Sequence, residues 1–259
     1  MTSYLDKLFG LQGKVAALTG AGGFLIGEMS RAFARTGVKV VVLDIDLAKA
    51  DAVVAQIKSE GGEACPGAID VSDPAQWNRT LELVTSKYGH CDILVNGAGI
   101  NAPTPFLEIP LDEWNRILAV QLTGTMLGCQ VFGRHMTQRK TGAILNISSA
   151  SAGPPLSKAF TYSVAKAGIL NLTQNLAREW ATVGVRVNAL RPGFFPTEWN
   201  KKNFLSAERV ASIMNHTPMR RFGEPSELVG ATLWLCSDAA SFVTGAEIEV
   251  DGGFSAMTI

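Results

Sequence analysis

The chain has 259 residues, 23 basic and 23 acidic side chains, and a composition 47% hydrophobic but only 18% charged. Such a neutral, apolar chain is not a disordered one, and it offers no charge for nucleic acid or an acidic membrane surface. With no basic leader before an apolar run and no stretch of about 18 apolar residues, a soluble, cytoplasmic protein is expected.

Lys14–Thr19 reads as a buried strand, followed by glycines and a helix reaching Arg35. Val38–Leu43 is a second apolar strand and Leu47–Glu60 a second helix. Weaker strand character at Ala64–Ile69 precedes a helix over Pro74–Tyr88, and Asp92–Asn96 is the fourth strand. A long helix is predicted from Leu111 to Gln138, then a strand at Ala143–Ile147 and a helix carrying Tyr162. Strands at Val185–Leu190 and Glu247–Val250 enclose a helix over Pro225–Cys236. Strands without polar alternation, each followed by a helix, indicate a parallel sheet covered on both faces. No linker divides the chain, so residues 1–259 read as one α/β domain, a three-layer doubly wound sheet. Phe194–Thr217 is long for a connection and reads as a lid over a site.

Cys65, Cys91, Cys129 and Cys236 form no C-x-x-C pair and read as reduced thiols. His90, His135 and His216 have no metal-ligand spacing, so no metal is expected.

Chemistry concentrates in Tyr162-Ser-Val-Ala-Lys166, with Ser149 upstream. Residues four apart share a helix face. An ammonium beside the phenol is expected to draw the Tyr162 pKa down from about 10, making a general acid/base. A Ser149 hydroxyl nearby can hold the substrate oxygen. The pair alone is equally consistent with an amphipathic helix and a solvated lysine.

Ligands of open parallel sheets bind at the carboxyl ends of the strands. The first such end is Thr19-Gly-Ala-Gly-Gly-Phe-Leu-Ile-Gly27, where glycines let the backbone approach a pyrophosphate at a helix N-terminus. Asp44 ends the second strand, where a carboxylate holds an adenosine ribose and repels a 2′-phosphate. No Arg or Lys lies in the glycine turn, so NAD is expected rather than NADP. Asp44 could alternatively cap the next helix, a role open equally to Asp46.

With these pieces in order the sequence resembles the single-domain short-chain dehydrogenases/reductases over essentially its whole length. The resemblance rests on the turn after Thr19, Asp70-Val71, Asn96-Gly-Ala-Gly99, Ser149 with Tyr162 and Lys166, and Pro192-Gly193 with Thr197. It implies a Rossmann fold and an oxidoreductase acting on a CH–OH group. Gly20, Gly23, Phe24 and Leu25 would belong to the cofactor turn. Asp70 and Val71 would edge the adenine, and Asn96, Gly97 and Ala98 would pass beneath the nicotinamide ribose. Pro192, Gly193, Phe195 and Thr197 would lie along the nicotinamide, with Phe195 backbone and the Thr197 hydroxyl on its carboxamide. Lys166 would bind ribose as well as tune Tyr162, and Ser149 would orient the substrate oxygen. Gln121 stands in Val120-Gln-Leu-Thr-Gly124 where the family usually has an asparagine whose backbone carbonyl holds a relay water; glutamine is expected to serve. Phe24 and Ile26 likewise occupy usual glycine positions.

The closest flavour is that of sugar-acid and polyol enzymes, such as the fructuronate reductase/mannonate dehydrogenase and gluconate dehydrogenase groups. It is carried by Pro192–Thr197, His216–Met219, Arg221–Pro225 and Asp251–Ser255. Lys201, Lys202, Arg220 and Arg221 around the lid suit an anionic substrate, or else are solvated or anchor the next helix. Substrate contacts are expected from Asn101, Ser151, Lys158 and Trp199. A ketone or 3-oxoacyl reductase, and a catalytically silent NAD-binding protein, are the alternatives. Broad apolarity over Phe160–Trp180 and Trp114–Met136 implies burial on a second side. The resemblance makes a homotetramer the expected state and a dimer the next.

Overall fold

The structure, a computed structural model, describes residues 3–197 and 205–258. Its seven strands form one parallel sheet: β1 (Val15–Thr19), β2 (Lys39–Asp44), β3 (Ala64–Ala68), β4 (Ile93–Asn96), β5 (Gly142–Ile147), β6 (Val185–Pro192) and β7 (Glu247–Val250). Their order is β3-β2-β1-β4-β5-β6-β7, so the winding reverses between β1 and β4. That reversal opens a crevice beyond the carboxyl ends of these two strands.

Successive strand residues point to opposite faces, and each face has its own core. Ala16, Leu18, Val40, Val42, Ile93 and Val95 pack with Met29, Phe33, Val54, Ile57 and Leu235. The first four of these partners lie on α2 (Phe24–Arg35) and α3 (Leu47–Ser59), the last on α9 (Val229–Cys236). Val15, Ala17, Val41, Leu43 and Leu94 pack on the other face with Trp77, Phe132, Met136 and Ala177. These belong to α4 (Pro74–Tyr88), α6 (Gly124–Arg139) and α7 (Phe160–Trp180). Strands buried on both sides explain the unbroken apolar runs of the sequence.

Three features depart from the predicted elements. A short helix α1 (Tyr4–Phe9) precedes β1, set by a capping box between Ser3 and Asp6. The long helix is interrupted: α5 (Leu111–Leu118) passes through one π turn, Ala119–Thr123, before α6. Such turns collect at functional sites, and Gln121 is at its centre. Within the predicted lid, α8 (Ala207–His216) starts from a Ser206 cap. No helix among the described residues is long and apolar enough to cross a membrane.

A buried polar chain ties β4, β5 and α7 together. Asn96 Nδ2 donates to Asn146 Oδ1 at 2.8 Å, and Asn146 Nδ2 to Thr173 Oγ1 at 2.9 Å. Gly128 faces this chain: a Cβ there would lie 2.6 Å from Asn96 Oδ1 and 2.6 Å from the Trp77 ring. Both neighbours are buried, so the added methyl has nowhere to go. Gly128→Ala is expected to destabilise the fold by about 1–3 kcal/mol. The check is a lower urea midpoint at unchanged slope; an unaltered midpoint would contradict the packing.

Candidate active site

The turn between β1 and α2 is built around Thr19 and Asp44. Thr19 Oγ1 accepts from the amides of Gly97 and Ala98 at 3.1 and 3.3 Å, fastening the β4 end to the β1 end. Gly20 holds φ +70° with Ala98 against it; a Cβ would lie 2.7 Å from Ala98 Cα. Asp44 Oδ2 accepts from Gly22 N at 3.0 Å, and Oδ1 from Asp46 N at 3.0 Å. The α3 cap is Asp46, which accepts from Ala48 and Lys49, so Asp44 is left to the crevice. Gly23 opens α2 with no side-chain cap, leaving this helix N-terminus free to meet an anion.

From β5 the chain runs into Ser149, whose extended backbone caps the turn Ala150–Ala152. Ser149 Oγ accepts from Ser151 N at 3.2 Å. Ser148 Oγ donates to Lys166 O at 2.9 Å, anchoring the first turns of α7 to the sheet end. Tyr162 and Lys166 lie on the inner face of that helix, with Lys166 Nζ donating to Ile147 O at 2.6 Å. The ammonium lies over the Tyr162 ring, 5.4 Å from its centroid.

The electrostatics reverse the expectation for Tyr162. Burial pushes its phenol upward, and a hydrogen bond from Ser149 draws it only partly back. Burial also pushes Lys166 down, to about 7. Both groups share one desolvated pocket, where each charged form is penalised. Lys166 addresses the ring face, not the oxygen, so Ser149 is the group that favours the phenolate.

These residues line one cavity of about 740 Å³. Its far wall holds Asn101, Ser151, Lys158 and Arg209, with Leu156, Leu205 and Phe222 as apolar lining. Gln121 is buried and also lines the cavity; its Nε2 donates to Ile100 O at 2.8 Å. Gln121 Oε1 and Ser151 Oγ are buried with no hydrogen-bond partner among the described residues. Orphaned polar atoms on a cavity wall mark places where something bound completes the pairing.

A family model described as enoyl-(acyl carrier protein) reductase matches residues 26–255. An uncharacterized oxidoreductase UxuB of Bacillus subtilis (strain 168) is 39% identical, covering 95% of this chain and 96% of its own. D-threitol dehydrogenase of Mycolicibacterium smegmatis is 35% identical over 97% and 96%. The chain is a short-chain dehydrogenase/reductase. Gluconate 5-dehydrogenase of Burkholderia cenocepacia J2315, solved with NADP and tartrate, superposes with TM-score 0.93 at 32% identity, over 99% of this chain and 100% of its own. Family membership makes the protein an oxidoreductase of CH–OH groups with a nicotinamide cofactor.

The dehydrogenase/reductase brings nearly all its sequence-predicted site residues to this one cavity. Ser149, Tyr162, Lys166 and Gln121 line it, as do Gly20, Gly23, Phe24, Leu25, Asp44, Asp70, Val71, Gly97, Ala98, Pro192, Gly193, Phe195 and Thr197. Asn101, Ser151 and Lys158 are there too, whereas Trp199 lies outside the described residues, with Lys201 and Lys202. Asn96 is the exception, absent from the lining because its amide is committed to Asn146 and Cys129 in the core. The carbonyl of Gln121 already accepts from Thr125 Oγ1 at 2.7 Å. Asp70 lines the cavity while its Oδ1 accepts from Ser72 N and Oγ. Arg221 does not reach this cavity: it pairs with Glu227 at 2.6 Å and anchors the following turn. The sequence reading missed Arg209, whose signal was the Ser206 cap before a helical stretch.

Proposed function

We propose that this enzyme interconverts a secondary alcohol and a ketone on a small polar substrate, a sugar acid, sugar or polyol, using NAD. The observation that carries the reading is Ser149, Tyr162 and Lys166 converging on one cavity at the sheet's reversal point. Tyr162 takes the alcohol proton during oxidation and returns it during reduction. Ser149 holds the oxygen that carries the proton, and Lys166 fixes the ring from its face while binding ribose. Bound in this crevice, the nicotinamide supplies the hydride acceptor or donor.

The residues present fit such a cofactor. The uncapped start of α2 suits a pyrophosphate, and the Asp44 carboxylate suits two ribose hydroxyls. The cations lining the cavity are Lys158, Lys166 and Arg209, on or beside α7 and α8, away from Asp44 and Ile45 at the β2 end. A 2′-phosphate at Asp44 would meet that carboxylate, and the cation beside this turn, Lys49, is paired with Asp46 at 3.6 Å, which favours NAD. Asp44→Asn is expected to lower the NAD:NADP ratio of kcat/KM about tenfold, read from initial rates; an unchanged ratio would remove Asp44 as the selector.

Residues 194–217 act as the substrate lid of a single-domain enzyme, and α8 lies within it. Phe106, Leu107, Leu111, Phe160 and Val164 are exposed, with the Phe106 and Phe160 rings 5.3 Å apart. This apolar surface on the 106–108 turn, α5 and α7 supports pairing of copies, as a homotetramer or a dimer. The test of function is absorbance at the NADH band with NAD and NADP in parallel against sugar acids, polyols and secondary alcohols. Turnover on a polar sugar with NAD upholds the reading; activity confined to apolar alcohols or 3-oxoacyl compounds overturns it.

A further inference from the structure

The two ends of the cavity carry opposite charge. Its carboxylates are Asp44 and Asp70, on the loops after β2 and β3. On the α8 side the charged lining residues are Lys158 and Arg209, and no described acidic residue lines the wall there. Arg209 is held without being neutralised. Its Nη1 donates to Ser157 Oγ at 3.0 Å and its Nη2 to Ser157 O at 3.1 Å. Neither bond involves a carboxylate, and each terminal nitrogen keeps a second N–H. Lys158 follows in sequence with a left-handed φ of +59°, a conformation that a non-glycine residue adopts only when its surroundings impose it. The Ser157 bonds thus fix a planar fork beside a second cation, at the mouth of a site whose Ser151 hydroxyl is buried and unpaired.

We propose that Arg209 and Lys158 form the carboxylate anchor of the substrate site, so that the enzyme's substrate is a sugar acid rather than a neutral polyol. This rests on the reading of the cavity as a sugar-type dehydrogenase site and narrows it. Arg209 answers the carboxylate with the N–H bonds that Ser157 leaves free, and Lys158 adds a point charge. Ser151 accepts or donates to a hydroxyl along the chain, and the reacting carbinol reaches Tyr162 and Ser149. A neutral polyol would leave both cations unanswered.

The test compares D-gluconate with D-glucitol, six-carbon chains of one configuration that differ in a terminal carboxylate, on wild type, Arg209→Met and Arg209→Lys. The expected result is a fall of about 10–100-fold in the gluconate:glucitol ratio of kcat/KM for Arg209→Met, most of it in KM. Arg209→Lys should recover part of the loss, since charge returns without the fork. Equal losses on both compounds would make Arg209 a structural tie, and an unmoved ratio would show it idle; either overturns the anchor. A rise in KM for NAD instead would assign the cations to cofactor phosphates and also overturn it. Tartrate binding to the NADH complex, followed by NADH fluorescence, is read in parallel. Should wild type turn over neither compound, the wider panel of sugar acids, polyols and secondary alcohols decides the sugar-dehydrogenase reading. The tartrate titration then decides the anchor alone: weaker binding in Arg209→Met upholds it, and equal binding removes it.

Discussion

Tyr162→Phe is expected to lower kcat by about 10²–10⁴-fold, the contribution usual for a positioned general acid/base. The substitution removes one oxygen and keeps the ring, so the surface that Lys166 overlies is preserved. The loss should fall on kcat more than on KM, because the oxygen matters most while the proton moves. Its pH signature follows from the direction of the shift. Burial holds the phenol in its protonated form well above neutrality, against the pull of Ser149. Oxidation needs the phenolate, so its rate should climb with pH into the alkaline range. Reduction needs the phenol and should be sustained at neutral pH. Initial rates in both directions across pH, for wild type and variant, provide the check. A variant that keeps the alkaline climb would show that another group carries the proton.

Most of the fold, and the membership of the site, could be read from local pattern. Apolar runs of strand length followed by helical periods have few packing solutions other than a parallel sheet with two covered faces. Once that sheet is accepted, the loops after β1, β2, β4, β5 and β6 meet at one crevice, and their residues become a site. Sequence could not settle what depends on orientation within that frame. Asn96 stands in a loop motif, yet its side chain points into the β4–β5 core, and only the register with Asn146 decides this. Spacing placed Lys166 beside Tyr162, but whether it met the oxygen or the ring depended on the depth of both side chains. That depth also set the sign of the tyrosine shift, because desolvation outweighs the hydrogen bond from Ser149. The π turn at Gln121 and the helix α8 left weak traces: the first is one residue of extra winding, the second a polar helix inside a polar segment.

Lys166→Met should make a protein that is inactive and more stable near neutrality. Wild-type Lys166 is 4% exposed, and burial carries its pKa from the ordinary 10.5 down to about 7. Above 10.5 the lysine is neutral in both folded and unfolded chains and contributes nothing. As pH falls below 10.5 the unfolded chain takes up a proton that the native site refuses, so the native state loses ground. By pH 7 that gap corresponds to about 5 kcal/mol at 1.36 kcal/mol per pH unit, an upper bound on the destabilisation. Methionine keeps the unbranched apolar stem and loses the bond to Ile147 O, worth about 1 kcal/mol. The variant should therefore gain about 1–4 kcal/mol near pH 7, raising Tm by roughly 3–10 °C for a domain of this size. The gain should shrink as pH approaches 10.5, which separates it from any general effect of packing. Thermal scans of both proteins from pH 7 to 10.5 provide the measurement, and parallel curves would mean that Lys166 is not the source. Convergence would identify Lys166 as a destabilising charge in the native state.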